Sequence, residues 1–272
     1  MTYDELYKIS KDKYKIEDNV INYLFKYYLN INKDSVVNSD ILNDYFKKLD
    51  EVNKGIPLQY IVGNVDFYGY NFMVNKNVLI PRFETEEVVN YAYEYINKYF
   101  NKASLLDIGT GSGIIGITLK KLIPNIDVTM IDISDDALEV SLINANNLNV
   151  LVDIYKSDML KEVLKKDKKY DVIISNPPYI REDEEVMDIV KNNEPNIALY
   201  GGIDGLRYYK EILKNAKNII KDKALIIFEI GEKQALDIIN ISKEYFNDSS
   251  YIIKQDLQGR DRIFILLYNL ND

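Results

Sequence analysis

From residue 103 onward, short apolar runs of strand-like composition alternate with stretches of helical period. Five runs of this kind follow one another, at residues 104–109, 127–132, 152–158, 170–176 and 224–231. Such alternation is typical of a parallel sheet with helices on both faces. Two further runs, 250–257 and 262–270, are joined by the short turn QGRD and read as a hairpin with one antiparallel strand. The sequence therefore predicts an α/β fold built on a doubly wound, mostly parallel seven-stranded sheet.

The beginning of the chain has a different organisation. Residues 20–28 and 41–49 carry apolar side chains at helical spacing. Ser39 is a candidate N-cap for the second helix, and Gly55 follows its C-terminal end. We therefore expect a small N-terminal helical domain.

A linker connects these helices to the sheet. Residues 59–75 place aromatic and β-branched side chains around Gly63 and Gly69, a pattern typical of a hairpin. A helix follows, for which Thr85 is a candidate N-cap. We place the helical domain and its hairpin linker at 1–75 and the sheet domain at 76–272.

The loop after the first strand of the sheet, LLDIGTGSGIIG, is rich in glycine. Gly111, Gly113 and Gly116 match the pattern G-x-G-x-x-G between a strand and a helix, where the backbone can approach a ligand closely. Asp132 ends the next strand, about twenty residues further on, where a carboxylate can accept hydrogen bonds from both ribose hydroxyls. A tight turn without a ligand is the alternative, but the context favours a nucleotide cofactor.

The spacing alone permits NAD as well as S-adenosylmethionine, which has no pyrophosphate. S-adenosylmethionine is favoured by Asp107, a carboxylate that can help to organise the cationic methionine end, and by the terminal hairpin, which methyltransferases of this fold share. Asp158 either accepts a hydrogen bond from the adenine amino group or is an ordinary turn residue. The candidate cofactor-binding residues are Gly109, Thr110, Gly111, Ser112, Gly113, Asp132, Asp158, Met159 and Asn176.

The run 170–176 leads into SNPPYI, where two adjacent prolines end the strand because neither has an N–H for a ladder. Ligands of such sheets bind at the carboxyl ends of the strands, which is where Asn176 lies. A simple strand terminator with Tyr179 in the core is the alternative. Together with the glycine loop, Asn-Pro-Pro-Tyr resembles the amino-methyltransferases, which methylate planar NH₂ groups in adenine, cytosine or glutamine.

Other stretches resemble the glutamine branch, the protein-(glutamine-N5) methyltransferases of the HemK/PrmC type that modify peptide-chain release factors. Between about residues 59 and 266, the matching stretches include QYIVGNVDFYGYNFMVN, VLIPRFETE, EPNIALYGGIDGLRYY, EIGEKQ and DLQGRDR. Phe83 departs from the family, which often has a second proline there. The resemblance implies a Rossmann-like class I methyltransferase that uses S-adenosylmethionine. Its expected substrate is the glutamine of a Gly-Gly-Gln motif in a release factor, docked with help from the N-terminal helices.

An amide nitrogen is a poor nucleophile because its lone pair is delocalised into the carbonyl. Two acceptors that hold both N–H groups can redirect this lone pair toward the methyl donor. The side-chain carbonyl of Asn176 is one candidate, and the backbone carbonyl of Pro177 is the other. Proline fixes φ and so preorganises such a carbonyl, while an aromatic ring can stack on the planar amide. The candidate catalytic residues are Asn176, Pro177, Pro178 and Tyr179.

The composition agrees with catalysis by positioning. The chain has no His, which removes the commonest general base and the commonest metal ligand, and no Cys, which removes disulfides and thiolate chemistry; we expect no metal centre. A net charge of −9 argues against a general nucleic-acid surface and leaves a local basic patch open. There is no signal-peptide pattern and no apolar run of membrane-spanning length. We expect a cytoplasmic monomer that binds neither nucleic acid nor membranes.

Three other functions remain open at this point. A nucleic-acid adenine or cytosine amino-methyltransferase shares the Asn-Pro-Pro-Tyr motif, although the acidic balance counts against it. A non-catalytic adaptor would have the same fold but would not transfer a methyl group. An NAD oxidoreductase would share the glycine loop. Arg82, Glu86 and Glu194 either shape the substrate entry or form ion pairs between the domains, and GGIDG at 201–205 is expected to be a structural turn.

Overall fold

The computed structural model of the protein describes residues 1–270. The chain begins with helices that pack around their own apolar core, which includes Leu6, Ile21, Phe25, Tyr45 and Leu49. These helices are α1 (Tyr3–Asp12), α2 (Asp18–Leu24), α3 (Ser39–Asn53) and α4 (Leu58–Val62), with a π-helical turn at Phe25–Leu29. The predicted helical segments at 20–28 and 41–49 are confirmed.

The cap of α3 lies one residue earlier than the sequence pattern indicated. Asn38 has an extended backbone, and its side-chain oxygen accepts a hydrogen bond from the backbone N–H of Asp40 at 3.1 Å. Ser39 is already the first helical residue, so its prediction as N-cap was wrong. Both residue types are good caps, and propensity alone does not separate neighbours. Gly55 follows α3 in the left-handed region, as expected.

The predicted hairpin is shorter than the pattern suggested. Its strands are β1 (Asn64–Phe67) and β2 (Tyr70–Met73), paired antiparallel around a two-residue turn, Tyr68-Gly69, in which both residues have positive φ. The preceding residues 59–62 belong to α4, which ends where Gly63 takes a left-handed conformation. Phe67 and Phe72 of the hairpin lie in the main core beside the sheet. The domain boundary near residue 75 stays a prediction.

The long helix α5 (Phe83–Tyr99) leads into the sheet domain. Arg82 is its N-cap residue and makes no side-chain capping bond. Thr85 lies inside the first turn, so its prediction as the cap was wrong. Its hydroxyl donates instead to a distant carboxylate, that of Glu229, at 2.7 Å. A threonine in a first turn can bond outside its own helix where a buried acceptor is within reach.

The sheet has seven strands in the order β5-β4-β3-β6-β7-β9-β8. All pairs are parallel except those made by β9, which runs antiparallel between β7 and β8. The predicted architecture is therefore confirmed, including the single antiparallel strand. The strands are β3 (Ser104–Ile108), β4 (Asp127–Asp132), β5 (Asp153–Lys156), β6 (Tyr170–Ser175), β7 (Ile220–Glu229), β8 (Ser250–Gln255) and β9 (Asp261–Tyr268).

Helices cover both faces of the sheet. One core lies under α5, α6 (Ile114–Leu122) and the end of α7 (Asp135–Asn147). The second core lies under α9 (Arg207–Ala216) and α10 (Ala235–Tyr245). A short helix, α8 (Asp188–Asn193), follows β6 outside both cores. Within residues 1–270, no helix is both long and apolar enough to span a membrane.

The chain order reverses beside β3, because β4 lies on one side of it and β6 on the other. At such a switch point the loops that leave the carboxyl ends of neighbouring strands turn to opposite faces and open a crevice. The loops that follow β3, β4 and β6 carry the glycine motif, Asp132 and Asn176. The fold therefore brings the predicted site residues to one edge of the sheet.

Candidate active site

A cavity of about 340 Å³ lies at this edge, within the range of small-molecule sites. Its floor is formed by the ends of β3, β4 and β6, and its rim by residues 77–81 and 195–198. Every candidate cofactor-binding residue except Gly113 contributes to its wall. These residues are Gly109, Thr110, Gly111, Ser112, Asp132, Asp158, Met159 and Asn176; Gly113 lies directly behind, at the start of α6.

The glycines of the loop serve two purposes. Gly109 and Gly111 have positive φ, and a Cβ on either would meet no atom within 4 Å, so their backbone is open to the cavity. Gly113 also has positive φ, but a Cβ there would lie 2.7 Å from the side chain of Ile117. The first two glycines leave room for a ligand at the backbone, whereas the third permits close packing of α6.

Asp107 builds the loop from behind. Its Oδ2 accepts hydrogen bonds from the Thr110 hydroxyl at 2.6 Å and from the backbone N–H of Gly116 at 3.1 Å. Its Oδ1 is buried and has no hydrogen-bond partner among the described residues. Burial raises the pKa of this carboxyl to about 6. Asp107 therefore shapes the loop without forming part of the cavity wall.

Asp132 lies at the end of β4 and lines the cavity. Its Oδ2 accepts from the backbone N–H of Gly111 at 2.9 Å, and its Oδ1 accepts from that of Ser134 at 3.0 Å. Burial raises the pKa of this carboxyl above its usual value. Each oxygen keeps a further lone pair, so the carboxylate can accept the two hydroxyl groups of a ribose.

Asp158 and Met159 line the opposite side of the cavity. Strand β5 ends at Lys156, so Asp158 lies in the following loop and not at the strand end that the sequence pattern suggested. Its carboxylate forms an ion pair with Lys161. Met159 has positive φ, and its carbonyl accepts from the Ser157 hydroxyl at 2.6 Å.

The Asn-Pro-Pro segment forms the third side. The Ser175 hydroxyl donates to the carbonyl of Ile108 at 2.7 Å, which ties the end of β6 to the end of β3. Asn176, Pro177 and Pro178 then line the cavity. The cofactor loop and the proposed catalytic segment therefore share one cavity wall.

The Asn176 side chain has a partner that the sequence did not reveal. Its Nδ2 donates to the Thr85 hydroxyl at 3.4 Å, and that hydroxyl donates to Oε2 of Glu229 at 2.7 Å. Thr85 and Glu229 are both buried, and burial raises the pKa of the Glu229 carboxyl to about 7. No sequence signal points to this chain, because 91 residues separate Asn176 from Thr85 and 144 separate Thr85 from Glu229.

Tyr179 lies beyond the cavity wall. Its ring packs beside the core under α9 and α10, and its carbonyl accepts from the side chain of Gln234 at 3.1 Å. Stacking of Tyr179 on a substrate amide stays a prediction. The GGIDG stretch holds this segment in place, because a Cβ on Gly201 would lie 2.5 Å from the carbonyl of Pro178 and one on Gly205 would lie 2.4 Å from that of Tyr179.

Two ion pairs fix neighbouring loops. Arg82 pairs with the buried Glu194 at 2.6 Å, and the second oxygen of Glu194 accepts from the backbone N–H of Ile80 at 3.0 Å. Both sides of the cavity rim are thereby joined. At the final hairpin, the guanidinium of Arg262 lies 3.4 Å from Asp256 and donates to the carbonyl of Ile230.

Three features define the class of this fold. They are a seven-stranded sheet with one antiparallel strand, a glycine loop after its first strand, and an acidic residue at the end of its second strand. This is the Rossmann-like class I methyltransferase fold. Residues 92–193 match the family model of the methyltransferase small domain. The T. thermophilus 16S rRNA N2 G1207 methyltransferase, solved in complex with AdoMet and guanosine, shares the fold with a TM-score of 0.55 at 12% identity, over 76% of this chain and 50% of that one.

Two curated relatives identify the family. The release factor glutamine methyltransferase of Bacillus subtilis is 41% identical over 232 residues, which cover 83% of this chain and 81% of the relative. That of Clostridium acetobutylicum is 39% identical over 268 residues, 95% of this chain and 93% of the relative. The chain belongs to the release factor glutamine methyltransferase family, and the family prediction from sequence is confirmed.

Proposed function

We propose that this enzyme transfers the methyl group of S-adenosylmethionine to the side-chain amide nitrogen of the glutamine in the Gly-Gly-Gln motif of peptide-chain release factors. The observation that carries the proposal is the position of Asn176. Asn176 lines the same cavity as the two prolines and the glycine loop. The methylation of an amide requires a hydrogen-bond acceptor for the substrate N–H beside the cofactor cavity.

The residues of the cavity fit the cofactor. Gly109 and Gly111 leave the backbone open, which suits a ligand held in contact with the main chain. Asp132 has free lone pairs for the ribose hydroxyls, and Asp158 and Met159 bound the far side, where the adenine would lie. When bound, S-adenosylmethionine supplies an electrophilic methyl group on a cationic sulfur.

The protein's own residues act on the substrate amide. The Asn176 side-chain carbonyl accepts one N–H of the glutamine amide, and the backbone carbonyl of Pro177 is proposed to accept the other. Held in this way, the nitrogen presents its lone pair to the methyl group and away from its own carbonyl. Methyl transfer forms one C–N bond as the S–CH₃ bond of the donor breaks and leaves a neutral thioether, and the amide then loses one proton to water and is neutral. Positioning therefore supplies the rate, in keeping with a chain that has no His.

The proposal is tested by incubating the enzyme with methyl-labelled S-adenosylmethionine and either a bacterial release factor or the same factor with its Gly-Gly-Gln glutamine replaced by alanine. We expect label on the first protein and none on the second. Equal labelling of both would place the methyl group elsewhere. Labelling of DNA or RNA in a parallel reaction would favour a nucleic-acid amino-methyltransferase and overturn the proposal.

A further inference from the structure

Two buried side chains stand behind Asn176. Thr85 on α5 contacts it directly, and Glu229 at the end of β7 contacts Thr85 and also interacts with the Asn176 side chain. Both side chains are 2% exposed. We propose that Glu229, through the Thr85 hydroxyl, is a positioning residue that fixes the Asn176 amide with Nδ2 turned inward and Oδ1 turned toward the substrate. This inference rests on the proposed function, in which Asn176 is an acceptor.

An asparagine needs such a device because its two ends are nearly equal in shape and opposite in chemistry. The oxygen accepts hydrogen bonds, and the NH₂ group only donates them. If Asn176 turned by 180°, its NH₂ would face the NH₂ of the substrate amide. No hydrogen bond would form, and the substrate lone pair would not be redirected. The Asn-Pro-Pro-Tyr motif is therefore not sufficient for activity, because the orientation of the Asn176 amide must also be fixed.

The order of donors and acceptors fixes this orientation. An ionised Glu229 can only accept, so the Thr85 hydroxyl gives its single proton to Oε2 at 2.7 Å. The oxygen of Thr85 can then only accept. It therefore selects the donor end of Asn176, whose Nδ2 lies 3.4 Å away. In this chain of three side chains, each hydrogen bond therefore determines whether the next group donates or accepts.

The surroundings of Glu229 suggest that it is kept for this purpose. The rest of the buried half of β7 is apolar, from Ala224 to Phe228. Burial disfavours an ionised carboxylate and raises its pKa to about 7. The charged or titratable groups near it are Arg262 of β9, Glu84 of α5, Tyr179 after β6 and Tyr209 of α9. Of these, Arg262 favours the ionised form and Glu84 opposes it.

Protonation of Glu229 would remove the preference for one orientation of the Asn176 amide. A neutral carboxyl can donate to Thr85, whose hydroxyl can then donate to Oδ1 of Asn176 and turn the amide the wrong way. Glu229→Gln imitates this state, because its side-chain NH₂ also donates. Thr85→Val removes the hydroxyl at nearly constant shape, and Thr85→Ser restores it.

The experiment measures methyl transfer to a release factor at saturating S-adenosylmethionine, together with cofactor affinity by calorimetry. We expect Glu229→Gln and Thr85→Val to lower kcat by about tenfold to a hundredfold, the effect of losing orientation, with cofactor affinity unchanged. Thr85→Ser is expected to recover most of the rate lost in Thr85→Val. The rate of the unsubstituted enzyme should fall below about pH 7 and that of Glu229→Gln should lose this step.

Matched controls lie at the other end of the sheet. Asp171 is a buried carboxylate that accepts from the Ser104 hydroxyl at 2.9 Å, and Thr129 is a buried threonine that accepts from Lys168 at 2.8 Å. Asp171→Asn and Thr129→Val should leave kcat unchanged. If Glu229→Gln and Thr85→Val, shown folded by their unfolding curves, keep the full rate and the same pH profile, the inference is overturned. If the unsubstituted enzyme does not methylate the release factor, the proposed function itself fails.

Discussion

At the scale of single residues, the site combines acceptors whose roles differ although their chemistry is similar. Asp107 shapes the loop, Asp132 faces the cavity, and Asn176 offers a neutral carbonyl. Only the last is proposed to touch the reacting nitrogen. Changes at these positions should therefore affect different steps.

Asn176→Ala removes the side-chain acceptor and leaves the glycine loop intact. We expect kcat to fall by on the order of a hundredfold or more, as when a single group that stabilises the transition state is deleted. Binding of S-adenosylmethionine, measured by calorimetry, should change little. An Asn176→Ala enzyme that turns over at the original rate would contradict the role given to this side chain.

Asp132→Ala should have the opposite profile. Loss of two charge-assisted hydrogen bonds to the ribose is expected to weaken binding of S-adenosylmethionine by about a hundredfold. At saturating cofactor, kcat should recover. Asp153→Ala, which removes an exposed carboxylate paired with Lys168 in the loop before β6, serves as the control. Equal cofactor affinity in both variants would argue against Asp132 as the ribose ligand.

Gly201→Ala tests whether the GGIDG stretch holds the Asn-Pro-Pro segment. The new methyl group would lie 2.5 Å from the carbonyl of Pro178, so that this backbone must move, at a cost of about 1–3 kcal/mol in the free energy of unfolding. Gly259→Ala is the control, because it strains an exposed turn with positive φ and meets no atom. Both should lose stability in thermal unfolding, and only Gly201→Ala should lose kcat.

At the residue scale, the sequence predicted the placement of side chains where the signal is local, and the roles of these residues stay predictions. The loop glycines, Asp132 and Asn176 each follow a strand at a characteristic spacing, and the fold places them around one cavity. Thr85 was read as a helix cap, and Glu229 was not singled out, since their contact depends on tertiary packing over 144 residues of chain. A short stretch of sequence carries no information on a contact between two residues as far apart as Thr85 and Glu229.

At the scale of elements, the cavity depends on loops joined across the domain. Glu194 holds both Ile80 and Arg82 and so fixes residues 80–82 against the loop that follows α8. Most strands lie where the sequence predicts them, but β5 ends at Lys156, before the predicted Asp158, and the β-like composition of residues 59–62 forms part of the helix α4. In such short segments packing overrides propensity.

Glu194→Ala should loosen this rim. It leaves the N–H of Ile80 without its acceptor and removes the ion pair of Arg82, so the free energy of unfolding should fall by about 1–3 kcal/mol. The KM for the release factor is expected to rise. Asp135→Ala removes an exposed pair with Lys156 and should change the free energy of unfolding by less than about 1 kcal/mol. Equal effects of the two substitutions would show that the rim contact is as weak as a surface pair.

At the scale of the whole molecule, the order of the strands decides where chemistry is possible. The alternation of strands and helices predicted the sheet, because it reflects burial on both faces. It did not predict that β9 would insert between β7 and β8, since pairing between distant strands is not encoded in their own period. That insertion places Arg262 near Glu229.

The buried carboxyl of Glu229 should affect stability as a function of pH. Its pKa in the folded state is raised from 4.5 to about 7, so its contribution is fully present below about pH 4.5 and is lost as the pH rises through about 7. Glu229→Gln should therefore be more stable than the unsubstituted enzyme at pH 8, by up to about 3 kcal/mol. Unfolding in urea at pH 5 and pH 8 measures this difference, and a gap that does not grow with pH would contradict it.

The central claim is that a glutamine amide nitrogen of a release factor receives the methyl group. Tandem mass spectrometry of a release factor that has been co-expressed with this enzyme tests it most directly, with a second culture that expresses Asn176→Ala. We predict one added methyl group on the Gly-Gly-Gln glutamine in the first culture and its near absence in the second. An unmodified glutamine in the presence of the folded enzyme, or a methyl group on another residue, would contradict this assignment.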